Sequence, residues 1–325
     1  MLRSLLTTLG ALALAAGAAH AAPREVKLGH HVETNTPLHQ QAVLFKEEIE
    51  RRLPGEFEIV IYPGGQLGKE AAQIDAVRLG VQDMSVIASG AMKLDTKVGV
   101  FDLPWLFESR EHVRRALEGP LGEAVETRLE ESAGFEVLGT YENGFRHVIN
   151  KVRPIAQPSD LEGLKIRITG GKLRQDVFAK MGGNPAPVAW TEVFSAMQTG
   201  VVDGAEAAIY GFNSAKLYEV ADKLSLTKHV YSPSFLIASN TFMDSLTDEQ
   251  RTAFQEAAEA ITDPAYEQAT ELENSALEAM KGEGVEVNEV DFEAFQEVTR
   301  PVYQDYIDAE GGEFIDLIDA AGQSS

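Results

Sequence analysis

Two hydrophobic rhythms alternate along the chain from Glu25 onward. Glu25–His30 (EVKLGH), Phe57–Tyr62 (FEIVIY) and Met84–Ala88 (MSVIA) are short apolar or alternating runs, and they predict strands. Between them, Leu38–Leu53 places Ala42, Leu44, Phe45 and Ile49 at helical spacing, and Glu70–Leu79 reads as a helix stopped by Gly80. Pro63-Gly64-Gly65 ends the second strand. A β-α-β-α-β opening predicts a mostly parallel sheet with helices on its faces.

The pattern then repeats. Val113–Leu129 reads as one helix, followed by strands at Phe135–Tyr141 and Arg146–Asn150. A second run gives strand Leu164–Ile168, helix Lys172–Met181, strand Ala186–Val188 and helix Thr191–Gln198, with Thr191 placed to cap the last. Ser225–Ser239 is extended and is expected to return to the first sheet. Thr247 and Gln250 form a capping-box pattern that opens a long helix to about Lys281. Phe254, Ala258, Ile261, Ala269, Leu272, Ala276 and Met280 mark its apolar side, and Pro264 is expected to kink it. At 1.5 Å per residue that helix is about 50 Å long, enough to run along two domains. A last helix is read at Phe292–Tyr306, and Ala321–Ser325 is read as a disordered tail.

Composition narrows the function. Met1-Leu-Arg, the uncharged Leu5–Ala19 and the small-x-small site Ala19-His20-Ala21 predict a secretory signal peptide over residues 1–21. The alternative is an uncleaved anchor, for which the apolar core is short. The mature chain is therefore expected to be exported and periplasmic, and its roughly 300 residues suggest two domains. There is no cysteine, which removes thiol catalysis, thiolate zinc sites and iron–sulfur clusters. The net charge of −23 argues against nucleic acid as a partner.

Arg167 ends an apolar strand, where a guanidinium has no packing reason to stand. Its planar fork of donors suits a carboxylate. Arg146 lies in a similar strand-like segment. Either the two clamp a ligand carboxylate, or each is buried against an acidic side chain. Trp190 follows the NPAPVA turn, placed either against a ligand's carbon skeleton or in the core; Trp105 in FDLPWLF reads as core. His30 and His31 are strand neighbours pointing to opposite faces, so no metal site is read there. No Ser-His-Asp order, HExxH, GxSxG or phosphate loop is present, and no cofactor is expected.

Several segments taken together resemble the periplasmic solute-binding proteins of tripartite ATP-independent periplasmic (TRAP) transporters, the DctP family. These are GGQLGKEAAQIDAVRLGVQDMSV, FDLPWLF, NGFRHVIN, DLEGLKIRI, MGGNPAPVAWTEVFSAMQTGVVDGAE and KLYEVADKLSLTKHV, in that order over nearly the whole mature chain. The resemblance implies an α/β periplasmic-binding-protein fold of two domains, each a central sheet flanked by helices, with a long helix spanning both. Domain I would comprise residues 22–143 and 231–265, and domain II residues 144–230 and 266–325. It implies Arg167 as the bidentate carboxylate ligand, with Arg146 nearby in a polar network with Glu206 and His229. Trp190 stands where the family carries a bulky aromatic, and His31 and Ser89 fall on loops facing the other side of the cleft. Where many members follow the VDGxE turn with Asn-Pro, this chain has Ala207-Ala208, and Tyr210 or Asn213 is the candidate substitute. The implied function is capture of a small organic acid, a dicarboxylate or sugar acid. Delivery would be to the small and large membrane subunits of an ion-driven transporter, with the binding protein a monomer. A periplasmic enzyme acting on a hydroxy acid and a sensor adaptor are the alternatives.

Overall fold

The computed structural model describes residues 22–323, so the leader read over residues 1–21 and the last two residues lie outside the described part. The chain opens with β1 (Arg24–Gly29), α1 (Pro37–Arg52), β2 (Phe57–Tyr62), α2 (Glu70–Arg78) and β3 (Met84–Ile87). Then come α3 (Arg110–Leu117), α4 (Pro120–Ala133) and β4 (Phe135–Phe145). The single helix expected over Val113–Leu129 is thus two. Its break falls at Gly119-Pro120, where proline has no N–H to continue α3 but suits the first position of α4.

The second run supplies β5 (His147–Asn150), β6 (Lys165–Ile168), α5 (Lys172–Lys180), β7 (Asn184–Pro187), α6 (Val193–Gln198), β8 (Gly204–Ala207), α7 (Ile209–Ser214) and β9 (Lys223–Ser225). Thr191 does not cap α6. It sits inside a 3₁₀ turn, Trp190–Glu192, that leads into the helix, and its side chain makes no capping bond. The chain closes with β10 (Tyr231–Ser239), α8 (Asn240–Met243), α9 (Asp248–Ala260), α10 (Thr262–Gly282), β11 (Glu286–Asn288), α11 (Phe292–Glu310) and α12 (Glu313–Gly322). The sequence reading missed α12 and placed Ala321 in a tail. Phe314 and Ile318, four apart and buried, hold α12 against α3 and α4.

The strands make two sheets, ordered β2-β1-β3-β10-β4 and β11-β9-β5-β8-β6-β7. In the first, β1 is parallel to β2 and β3, as expected, but β10 runs antiparallel to β3 and β4, so the sheet is mixed. Its core centres on Phe254 of α9, whose ring meets Phe45, Phe57 and Phe242 edge-on at 5.2–5.8 Å. The second sheet packs Ile149, Ala205 and Leu224 against Val193, Met197, Phe212 and Met280.

Four connections join the lobes, the last being α11–α12, in which α11 packs against α5 and α12 returns to α3 and α4. Strand β4 passes directly to β5, with Arg146 alone between them. The chain returns through residues 226–230 into β10, and the two crossings are zipped together: Arg146 N–H donates to Val230 O at 2.9 Å and His229 N–H to Arg146 O at 3.2 Å. Trp105, in the left-handed region at φ 55°, braces this crossing, donating from its amide to His229 O and from Nε1 to Thr227 O, each at 3.0 Å. The third connection is α9–α10. The Thr247–Gln250 capping box opens it, and the break sits at Ile261, just before the proline. Pro264 collides with the carbonyl four residues back, at Ala260, so the helix breaks ahead of it.

Candidate functional site

Between the sheets lies a cleft of about 140 Å³, lined from both lobes by His31, Glu70, Ser89, Arg146, Arg167 and Trp190 among others. At about 30 Å³ per water in the liquid, that is room for roughly five waters, the scale of a small organic acid.

Strand β6 carries Arg167 into it. Pairing with β7 and β8 sets Arg167 opposite Ala186 and Ala205, where small neighbours leave space for the guanidinium. The side chain is 2% exposed. Its Nε donates to Val188 O at 2.8 Å and Nη1 to Glu206 O at 3.3 Å. The nearest carboxylate oxygen, on Glu206, is 4.0 Å away, and Nη2 makes no hydrogen bond among the described residues. Burial lowers the Arg167 pKa to about 10, with Glu206 opposing and the Arg146 and Arg174 charges adding to the decrease. It therefore stays charged at neutral pH. The Trp190 ring lies over it at 5.3 Å. Gly211 makes room for that ring, since a Cβ there would sit 3.2 Å from it.

Arg146 stands in no strand, contrary to its reading as a strand residue. It occupies the crossing between lobes, because β4 and β5 belong to different sheets. Its Nε pairs with Glu206 Oε2, and Nη2 donates to Glu206 Oε1 and O at 3.0 Å each. Glu206, fully buried on β8, lies behind the cleft rather than in it. The Thr169 amide (3.2 Å) and Arg174 Nη1 (3.4 Å) also donate to it, and His229 Nε2 lies 3.6 Å away. Burial would push the Glu206 carboxyl up, but Arg146 and Arg174 outweigh it and hold the pKa well below the usual range. His229 is buried and neutral, lowered by desolvation against the pull of Glu206, and Nδ1 shares a 2.7 Å hydrogen bond with Thr227.

Sequence reasoning missed Arg174 and Asp102. Arg174, 1% exposed on α5, donates through Nε (3.1 Å) and Nη2 to Asp102 Oδ1. The signal was available: Arg174 shares the helical face of Val177 and Phe178, both buried.

The facing wall differs. His31 lines the cleft as the loop placement implied, neutral through burial, with Nδ1 unbonded and 3.9 Å from Glu70. Ser89 shares a hydrogen bond with Ser232 at 3.1 Å. Glu70, also unforeseen, accepts the Ala88 amide at 2.7 Å. Burial would raise its pKa, but His31, the Ala88 and Gly90 amides and Lys93 together hold it below the ordinary value. Beside Ala207, Tyr210 lines the cleft, its hydroxyl donating to the carbonyl oxygen of Asn143, another unforeseen lining residue. Asn213 does not line it: on the last turn of α7 it falls away from the cleft. Among the described residues no acidic or histidine cluster fits a metal ion.

A family model described as bacterial extracellular solute-binding protein, family 7 (DctP), matches residues 28–309. The 2,3-diketo-L-gulonate-binding periplasmic protein YiaO of Escherichia coli is 31% identical over 85% of this chain and 84% of its own length. The C4-dicarboxylate-binding periplasmic protein DctP of Rhodobacter capsulatus is 32% identical over 93% of this chain and 92% of its own. A TRAP periplasmic solute-binding protein from Sulfitobacter, crystallised with β-D-galacturonate, superposes with a TM-score of 0.86 at 33% identity, covering 91% of this chain and 98% of that one.

Proposed function

We propose, from the premise that this chain belongs to bacterial extracellular solute-binding protein family 7, that its cleft receives an organic acid with the carboxylate on Arg167 and Arg146. It is a solute-binding protein of the TRAP type, and its relatives bind sugar acids and dicarboxylates. The family is the substrate-binding component of a transporter and works with TRAP membrane subunits. The bound acid leaves chemically unchanged, and the protein acts as a monomer in the periplasm after the leader is removed.

One observation carries the reading: Arg167 Nη2 is left without a protein partner inside a cleft. Arg146 contributes its remaining Nη1, Trp190 covers the carbon skeleton, and His31, Ser89 and Tyr210 contact the rest of the ligand. Glu206 and His229 position Arg146 from behind. The lobes, divided near 143/144, 230/231 and 265/266, close on the acid because contacts to both walls exist only in the closed state. The closed form docks on the membrane subunits.

Truncating one member of a desolvated charged pair costs about 2–5 kcal/mol. Arg167→Ala should therefore weaken acid binding about 30- to several-thousand-fold, read by calorimetry. Near-unchanged affinity in a folded variant sinks the clamp. Mass spectrometry of the recovered ligand should show the acid unaltered, and a converted product would make the protein an enzyme.

A further inference from the structure

The most enclosed charges on the two walls of the cleft are opposite in sign. On the clamp side, the guanidiniums of Arg146, Arg167 and Arg174 meet the carboxylates of Glu206 and Asp102, leaving one positive charge in surplus. Asp102 Oδ1 accepts both Nε and Nη2 of Arg174, and while burial raises its pKa, that guanidinium favours the charged carboxylate. On the facing wall, Glu70 keeps only 11% of its side chain exposed, beside His31. Two lysines also line the cleft; both are exposed, so their charges are partly screened, although Lys93 is near enough to help lower the Glu70 pKa. Lys93 is exposed and donates to Thr169 O at 3.3 Å, while Lys69 pairs with Glu192 at 2.6 Å.

We propose that the cleft selects a polyhydroxy monocarboxylate over the dicarboxylate of the same skeleton, with Glu70 accepting hydrogen bonds from hydroxyls at the ligand's far end. One carboxylate neutralises the surplus at the arginines. A second would lie against the largely enclosed Glu70 carboxylate, where like charges with little water between them are unfavourable. Hydroxyl groups are the complementary partner, because an ionised carboxylate accepts and cannot donate. Glu70 is fixed for this task, its Oε1 held by the Ala88 amide and its environment keeping it ionised. This assignment rests on the organic-acid reading above and sharpens it.

The test compares gluconate with glucarate, six-carbon acids that differ by one terminal carboxylate, together with glucuronate and succinate, by calorimetry on the mature chain. Gluconate or glucuronate should bind about 100-fold or more tightly than glucarate and succinate, since like-charge juxtaposition costs several kcal/mol. Glu70→Gln keeps an oxygen for the Ala88 amide and removes the charge. It should narrow the gluconate-to-glucarate ratio at least about tenfold, a factor equal to 1.4 kcal/mol. Should that variant fail to fold, the ratio in the unmodified protein decides alone. Glucarate or succinate binding as tightly as the monoacids overturns the charge assignment and leaves the binding-protein reading standing. Failure of all four acids to bind overturns both.

Discussion

Two arginines on the same side of the cleft, Arg167 and Arg174, are equally hidden and differently satisfied. Their exposures are 2% and 1%. Arg174 spends its donors inside the protein, on Asp102 at close range and on Glu206, Ser89 and Thr169 at 3.4 Å. Arg167 has one carbonyl at 2.8 Å, another at 3.3 Å, no carboxylate closer than 4.0 Å and a free Nη2. A buried guanidinium is therefore no sign of a ligand by itself. What identifies a site is a charged donor that opens onto a cleft and has no protein partner there. The region around Arg174 completes the protein, whereas the region around Arg167 is incomplete until something anionic arrives.

The two arginines should differ most in what they contribute to stability. Asp102→Ala strands a buried guanidinium and should cost about 3–5 kcal/mol in urea unfolding. Arg167→Ala removes a charge that burial already disfavours, so its loss of stability should be much smaller while its loss of binding is large. If Arg167→Ala proves the more destabilising of the two, the roles assigned to the arginines are reversed.

A smaller effect sharpens the picture behind both arginines. His30, His31, His147 and His229 are buried neutral, with pKa values pushed down first by desolvation, that of His30 to about 3. Unfolding raises each toward 6.5, so the unfolded chain binds more protons. Their contribution is fully present above about pH 6.5 and falls away as pH drops, by about 1.4 kcal/mol per histidine per unit. Glu206 adds a second loss at lower pH, as the solution passes below its unfolded value of 4.5 toward the depressed folded one. His147 Nε2 has no partner and Nδ1 accepts the Lys228 amide at 3.3 Å, so His147→Gln removes a titrating group and keeps a side chain that can take that bond. Its stability should fall less steeply between pH 6.5 and 5.5 than that of the unmodified chain, by about one proton's slope. Parallel curves would show that His147 is not buried neutral.

Most strands and helices were legible in the sequence because burial repeats at periods of two and 3.6, as in β2 and α1. The misreadings have local causes. Gly119-Pro120 cut a helix whose apolar pattern runs through both halves, and the polar-looking end of the chain hid the Phe314–Ile318 face of α12. Arg167 was legible because an apolar strand surrounds it. Arg174 was overlooked because lysines at both ends of its helix suggest solvated surface, although its spacing from Val177 and Phe178 already placed it on their apolar face. Glu70 was hidden for a related reason: it opens α2, where an acidic residue is ordinary, and only the sheet topology brings its carboxylate to the Ala88 loop. Charge patterns name candidates, but whether a charge is paired is a property of three dimensions.

The smallest expected effect concerns how the two walls are held together. Trp190, which covers Arg167, also reaches across the cleft and donates from Nε1 to Glu33 Oε2 at 3.1 Å, with Ser214 Oγ 3.4 Å from the same oxygen. Glu33 precedes α1 in one lobe and Trp190 precedes α6 in the other, so this bond exists only when the lobes meet. A partly solvated hydrogen bond of this kind contributes about 0.5–1.5 kcal/mol. Glu33→Ala should thus weaken acid binding only about 2- to 12-fold, chiefly through faster release. The chain has two tryptophans, so a Trp105→Phe background leaves Trp190 as the sole indole reporter. In that background, ligand addition should change the fluorescence, and Glu33→Ala should reduce the change because the indole loses its fixed partner. An effect of Glu33→Ala on affinity as large as that of Arg167→Ala would move the centre of recognition from the guanidinium to the crossing bond, and the contrast between a completed and an incomplete arginine would no longer explain binding.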